Sequence, residues 1–189
     1  MSQGDSQRTN WYGYDRAFVS NLQRLVERED RAALAELRRG LGRPTGATVG
    51  MYRYVVPYLP PDAETWDVSP YFLVAPLFAL HQLSWPGAEG KRETNFGASF
   101  SQMATGESAS VEKRFTALLN AEPEELGEHL RHAVSLFKAH EAPVDWFQLP
   151  SDVRGWDHPE RYVQRRWARM YWRASSNDNP DDNDDTITR

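Results

Sequence analysis

Between residues 11 and 173 apolar side chains recur at three- and four-residue spacing, and no Asn-Gly type turn joins alternating runs, so the pattern predicts helices and no sheet. Over Trp11 to Glu29, Phe18, Leu22, Leu25 and Val26 form one stripe. A second helix is expected from Asp30, a suitable N-cap, to Gly40, a suitable residue after the C-cap. Beyond the loop GLGRPTG, a short helix carries Met51, Tyr54, Val55 and Tyr58, and Pro57 with the Pro60-Pro61 pair ends it. The segment Pro70 to Trp85 is too rich in Leu, Phe and Ala to face solvent and is expected to be the central buried helix, kinked at Pro76.

Pro86 to Thr94, rich in Gly and charge, is expected to be a surface loop before a short helix over Asn95 to Ala104. Ser110 is expected to cap a helix bearing Phe115, Leu118 and Leu119, and Pro123 to open another that buries Leu126, Leu130, Val134 and Phe137. Trp146, Leu149, Val153 and Trp156 continue the apolar series in shorter turns, and a closing helix runs from about His158 to Arg173. The expected fold is all-α, a single-domain helical bundle of about seven to nine helices over residues 11–173. The polar residues 1–10 and the acidic tail 174–189 lack the apolar anchors that offset ordering entropy and are expected to be flexible.

Composition narrows the chemistry. With 189 residues, 40% of them hydrophobic, there is enough material for one core. The absence of cysteine excludes disulfides, thiolate catalysis and Cys-ligated zinc and suits a reducing cytosol. No apolar run is long enough for a membrane span and the start MSQGDSQRTN lacks a secretory layout, so a cytoplasmic location is expected. Net charge is −5, yet residues 174–189 hold five Asp and one Arg, so the body carries only −1. A near-neutral body can still bind a polyanion where its cations gather on one face.

The closing helix gathers them. At about 100° per residue, Tyr162, Arg165, Arg166, Arg169 and Arg173 share one arc with Arg161 beside it, while Val163, Trp167, Met170 and Tyr171 share another. Guanidinium forks suit phosphate because they stay charged and donate paired hydrogen bonds. No acid at i−4 balances Arg165, Arg166 or Arg169, so the row repels itself unless an anion relieves it. A solvated face with arginine stems covering apolar surface is the competing reading. Tyr162 and Trp172, beside the arc, are candidates for stacking on exposed bases. Smaller basic groups are Arg38, Arg39 and Arg43, Lys91 and Arg92, Lys113 and Arg114, and Arg131. The macrodipole alone explains Arg38 and Arg39 at a helix end, but not Lys113 and Arg114 in an expected first turn.

This ordered set resembles the CasB family, the small helical subunit of the type I-E CRISPR surveillance complex Cascade. The resemblance rests on Leu37-Arg38-Arg39, Tyr52-Arg53-Tyr54, Lys91-Arg92 leading to Asn95-Phe96-Gly97, and Glu112-Lys113-Arg114-Phe115 with Leu118-Leu119. Leu130-Arg131, Val144-Asp145-Trp146 and Arg165-Arg166-Trp167 complete it, over roughly residues 11 to 173. Where the family usually has Ser-Leu-Gly, this chain has Asn95-Phe96-Gly97. The resemblance implies an all-α subunit without enzymatic activity or cofactor, present in two copies. Its partners would be guide RNA, both strands of the target DNA, the backbone filament subunit and the large subunit. Strand contacts are implied at Arg38, Arg39, Lys91, Arg92, Lys113, Arg114, Arg131, Arg165 and Arg166, with Arg53, Arg161 and Arg169 added on physical grounds.

Other chemistries fit less well. His129 and His132 lie one turn apart beside Glu128 but lack an HExxH pattern or a third ligand at helical spacing. GLGRPTG follows a helix and lacks the Gly-Lys-Ser/Thr ending of a phosphate loop, and no Gly-x-Ser-x-Gly elbow presents a serine. The main alternative is a helical adaptor that binds only proteins. A metal-dependent nuclease would need acids clustered within the basic groove.

Overall fold

The computed structural model describes residues 11–61, 63–86, 94–103 and 108–177. Nine α-helices follow one another in them: α1 (Trp11–Glu27), α2 (Arg31–Arg38), α3 (Tyr52–Val55), α4 (Thr65–Leu80), α5 (Phe96–Ser101), α6 (Ser108–Leu119), α7 (Leu126–Ala139), α8 (Leu149–Arg154) and α9 (Tyr162–Asn177). Two 3-10 turns, Val49–Met51 and Val56–Tyr58, flank α3. Among the described residues the only extended pairing is one parallel bridge, Ser84 to Val144. The fold is the expected all-α single domain.

Asp30 caps α2 as its position predicts, accepting the Ala33 amide at 2.9 Å. The stripe on α1 is Phe18, Val19, Leu22 and Leu25; Val26, expected inside, is 37% exposed although it lies within about 20° of Val19 around the axis, one residue from the end of the helix. Gly40 follows α2 but its backbone is not left-handed. Its role is steric: it is buried against the Met51 side chain, and a β-carbon there would overlap the sulfur.

α4 is buried on most sides through Tyr71, Val74, Ala75, Leu77, Phe78 and Ala79, and contains Pro70 and Pro76. It ends at Leu80, five residues before the expected Trp85. Beyond it the backbone is extended: Leu83 accepts the Val144 amide at 3.0 Å, Val144 accepts the Trp85 amide at 3.3 Å, and the Trp146 indole donates to Leu83 at 3.2 Å. An uninterrupted apolar run carries no periodicity by which to place such a boundary.

The C-terminal half is built around short α5. Phe96 stacks on Trp167 of α9 at 4.9 Å and meets Phe137 of α7 edge-on at 5.0 Å, while Phe100 meets Phe115 of α6 at 4.9 Å. Asn95 caps α5 through the Gly97 and Ala98 amides, at 2.9 and 3.3 Å. Gly97 lies so close to the Trp167 backbone carbonyl that no side chain fits, which is the physical reason for glycine after Asn95-Phe96. α6 and α9 run antiparallel, since Phe115 rests on Tyr171 and Trp172 near one end, while Leu119 meets Arg161 at the other.

Candidate nucleic-acid interface

Helix α9 has the two faces its sequence predicts. Val163, Trp167 and Tyr171 are buried, and Arg165, Arg169 and Arg173 are exposed. None of these three arginines has an ion-pair or hydrogen-bond partner for its side chain among the described residues. At i, i+4 and i+8 they form one outward row, about 6 Å of rise apart.

Arg166 has a different fate. Its guanidinium bonds Asp152 of α8, whose side chain is only 1% exposed. Asp152 also accepts the Trp167 indole at 2.7 Å and the Gln148 amide at 2.8 Å. Burial pushes the Asp152 carboxyl up to about 6, against the opposing pull of Arg166 and these donors. Asp145 belongs to the same region: it accepts Thr94 at 2.5 Å and the Gln148 backbone at 3.0 Å, and burial raises its carboxyl too. The carboxylate that balances Arg166 therefore sits fourteen residues back on another helix, where no i−4 rule would find it.

Arg161, expected beside the arc within the helix, instead precedes α9, with its backbone in the left-handed region at φ 49°. Its guanidinium turns back to the Leu119 carbonyl at the end of α6, an orphan acceptor that an arginine can satisfy. The helix itself starts at Tyr162, not His158, and runs to Asn177. Arg154, not singled out by the sequence, is the other internal arginine. It forms a bidentate pair with buried Asp15, at 2.9 and 3.1 Å, and lies 4.2 Å from the Trp11 ring centroid. Tyr71 donates to the same carboxylate at 2.8 Å, and burial raises the phenol well above its ordinary value.

Lys113 and Arg114 are exposed on α6. That helix begins at Ser108, so Ser110 is its third residue and not its cap, and the two cations lie in the second turn, beyond the strongest part of the macrodipole. The cap position precedes Ser108 and lies outside the described residues. Arg38 is exposed at the end of α2, and Arg39 beside it pairs with Glu36 at 2.6 Å. Arg53 lies 4.6 Å from the Tyr54 ring centroid and bonds its hydroxyl. Lys91 and Arg92 lie outside the described residues.

Arg131 stands apart from α9. Half-buried on α7, it contacts His132 at 3.2 Å and, with Arg43, lines a cavity of about 580 Å³ between the loop after α2, α4 and the start of α7. Phe72, Leu73 and Leu77 give that cavity an apolar wall, and Glu124 and Glu128 give it acids. Its mixed charge suits phosphate less well than the α9 row. No residue of the α9 row lines this cavity. Among the described residues no group of three or more His, Asp or Glu comes together, and no helix is long and apolar enough to cross a membrane.

The family model for CRISPR-associated protein Cse2 matches residues 33–172. A CRISPR-associated protein Cse2 from Thermus thermophilus is 37% identical over 167 residues, covering 85% of this chain and 91% of its own length. The crystal structure of a Cse2-family protein from the same organism superposes with a TM-score of 0.72 at 35% identity, covering 84% of this chain and 97% of that one. A chain in a structure of a CRISPR RNA-guided surveillance complex gives a TM-score of 0.73 at 26% identity, covering 88% and 95%. Solved relatives from Thermus thermophilus and M. ruber carry the name CasB. Fold and sequence thus agree over most of the chain, which belongs to the CRISPR-associated Cse2 (CasB) family.

Proposed function

We propose that this chain is a non-catalytic subunit of a type I-E CRISPR surveillance complex, Cascade, and that it holds nucleic-acid strands by their phosphates. The observation that carries the reading is the outward row Arg165, Arg169 and Arg173, three guanidinium groups on a rigid helix with no carboxylate partner among the described residues. Arg38, Lys113 and Arg114 are also exposed. Pairing between guide RNA and target DNA roughly replaces the duplex it opens, so modest backbone contacts tip the balance toward the open R-loop. Each contact releases counterions, which makes the effect salt-dependent. In this role the subunit meets guide RNA, both target strands, the backbone filament subunit, the large subunit and a second copy of itself.

A protein-binding adaptor is the second reading, and one feature favours it: Val49, Tyr52 and Val56, 73%, 41% and 48% exposed, share one side of the segment around α3. Both contacts can belong to one subunit. The deciding measurement is R-loop lifetime in the assembled complex with Arg165, Arg169 and Arg173 all changed to Glu. A lifetime shortened at least about tenfold at moderate salt, with assembly intact, is expected. An unchanged lifetime would leave only the adaptor role.

A further inference from the structure

The outward arginine row is followed in the same chain by opposite charge. Residues 178–189 read DNPDDNDDTITR, with Asp178, Asp181, Asp182, Asp184 and Asp185 against the single Arg189. We propose that this acidic segment docks on the arginine face of α9 and occupies it in place of phosphate until a nucleic acid displaces it. The inference rests on reading that face as the strand-holding surface, and adds a regulator built into the chain.

Three observations carry it. The first is the unmet charge of Arg165, Arg169 and Arg173, which are exposed, aligned and without a carboxylate partner among the described residues. Like charges one turn apart repel, so any anion that reaches them is favoured. The second is reach. From Arg165 to Asn177 α9 rises about 18 Å, whereas twelve residues can extend about 40 Å, enough to run back along the whole row. Pro180, three residues past the end of α9, is a residue that disfavours continuing a helix and favours a turn away from its axis.

The third is spacing and composition. Asp182 and Asp184 stand about 7 Å apart in an extended chain. The rise from Arg165 to Arg169, or from Arg169 to Arg173, is about 6 Å, so successive carboxylates can meet successive guanidiniums. The segment offers Ile187 as its sole large apolar side chain, so charge and not packing decides where it binds. A short tether presents it at an effective concentration of about a millimolar, enough to compete with strands that touch the face through phosphates alone. A strand already held by base pairing to the guide displaces it. The tail thus discriminates against unpaired or random nucleic acid without reading any sequence.

The chain has no cysteine, so Thr186→Cys supplies a unique site for a nitroxide label in the full-length protein. The reporter is the indole N–H of Trp172, which lies on α9 between Arg169 and Arg173 and is 39% exposed. Broadening of that signal at about 50 mM salt, lost at about 500 mM and lost when the five Asp become Asn, is expected. In parallel, neutralising the five Asp should tighten binding of a random-sequence single-stranded 20-mer about three- to tenfold at low salt, the difference vanishing at high salt. Absence of broadening overturns the docking, and broadening with unchanged affinity overturns the competition. If the tail variant has no effect while Arg165, Arg169 and Arg173 changed to Glu weakens binding, the tail idea fails and the strand-holding role stands. If the arginine variant leaves DNA binding unchanged, both fall.

Discussion

Two sets of arginines from one stretch of sequence meet opposite fates. Arg154 and Arg166 face inward to Asp15 and Asp152, carboxylates that are 4% and 1% exposed, whereas Arg165, Arg169 and Arg173 face out and meet none among the described residues. Residue type does not separate them, and angle barely does: Arg166 and Arg173 differ by about 20° around the helix axis. They are separated by height, because seven residues lift Arg173 about 10 Å along α9, past the level where α8 offers Asp152. A guanidinium that neutralises a buried acid uses its donors inside the protein. One that meets no acid keeps its donors for an outside anion, and substitutions at the two kinds should therefore fail in different ways.

The largest effect is expected at Arg154. Arg154→Met leaves Asp15 buried and without its countercharge, and should cost about 3–5 kcal/mol of unfolding free energy in urea titrations. Adding Asp15→Asn should recover part of that loss, because the cost lies in the unpaired charge. A single variant within about 1 kcal/mol of wild type would show that water reaches Asp15 and would erase the distinction between the two sets.

Arg166→Ala ranks next, because its side chain is 40% exposed and part of its charge is already solvated. A loss of about 1–3 kcal/mol at pH 8 is expected, and the pH dependence gives the sharper test. Asp152 titrates near 6 in the fold, above its ordinary 3.8, so the native state binds its proton more readily than the unfolded chain does. The stability this group contributes is fully present below about pH 4 and is lost as pH rises through 6. Removing Arg166 raises that carboxyl further, so the variant should trail wild type most at pH 8 and least at pH 5. A deficit that grows on acidification would place Arg166 outside the Asp152 network.

Much of the fold is legible because periodicity and capping agree: Asp30 caps α2, the apolar set of α7 is buried, and of that of α9 Val163, Trp167 and Tyr171 are buried and Met170 is half-buried. Boundaries fail where that agreement is missing. The sequence places both ends of α4 five residues too late, since an all-apolar run has no phase, and starts α6 late by taking Ser110 for its cap. The cationic side of α9 is readable from angle, but not which of its arginines stay unpaired. The inward pairing of Arg166 and the turning of Arg161 onto Leu119 are not, because both partners come from other helices and no local spacing encodes them.

On the outward set the effects should be smaller and purely electrostatic. Arg169→Gln is expected to change stability by less than about 0.5 kcal/mol, since no partner among the described residues is lost. It should nevertheless lower the slope of log affinity against log salt by about one, as for a single phosphate contact. Loss of stability without a change in slope would move Arg169 into the structural set.

The smallest effect should come from an acid. Glu112 on α6 lies close enough to Tyr171 to help raise its phenol, behind the larger effect of burial, which puts a negative charge on the flank of α6 that faces α9. Val111, Phe115 and Leu118 point α6 into the core, so by helical geometry Lys113 projects from the opposite side, away from the bundle. Glu112 therefore lies nearer the arginine row than Lys113 does and opposes any phosphate there. Glu112→Gln should tighten strand binding by about twofold or less at low salt, with no effect at high salt. Weaker binding in the variant would mean that the carboxylate orders the surface more than it repels the ligand, and that α6 and α9 act as one charged face.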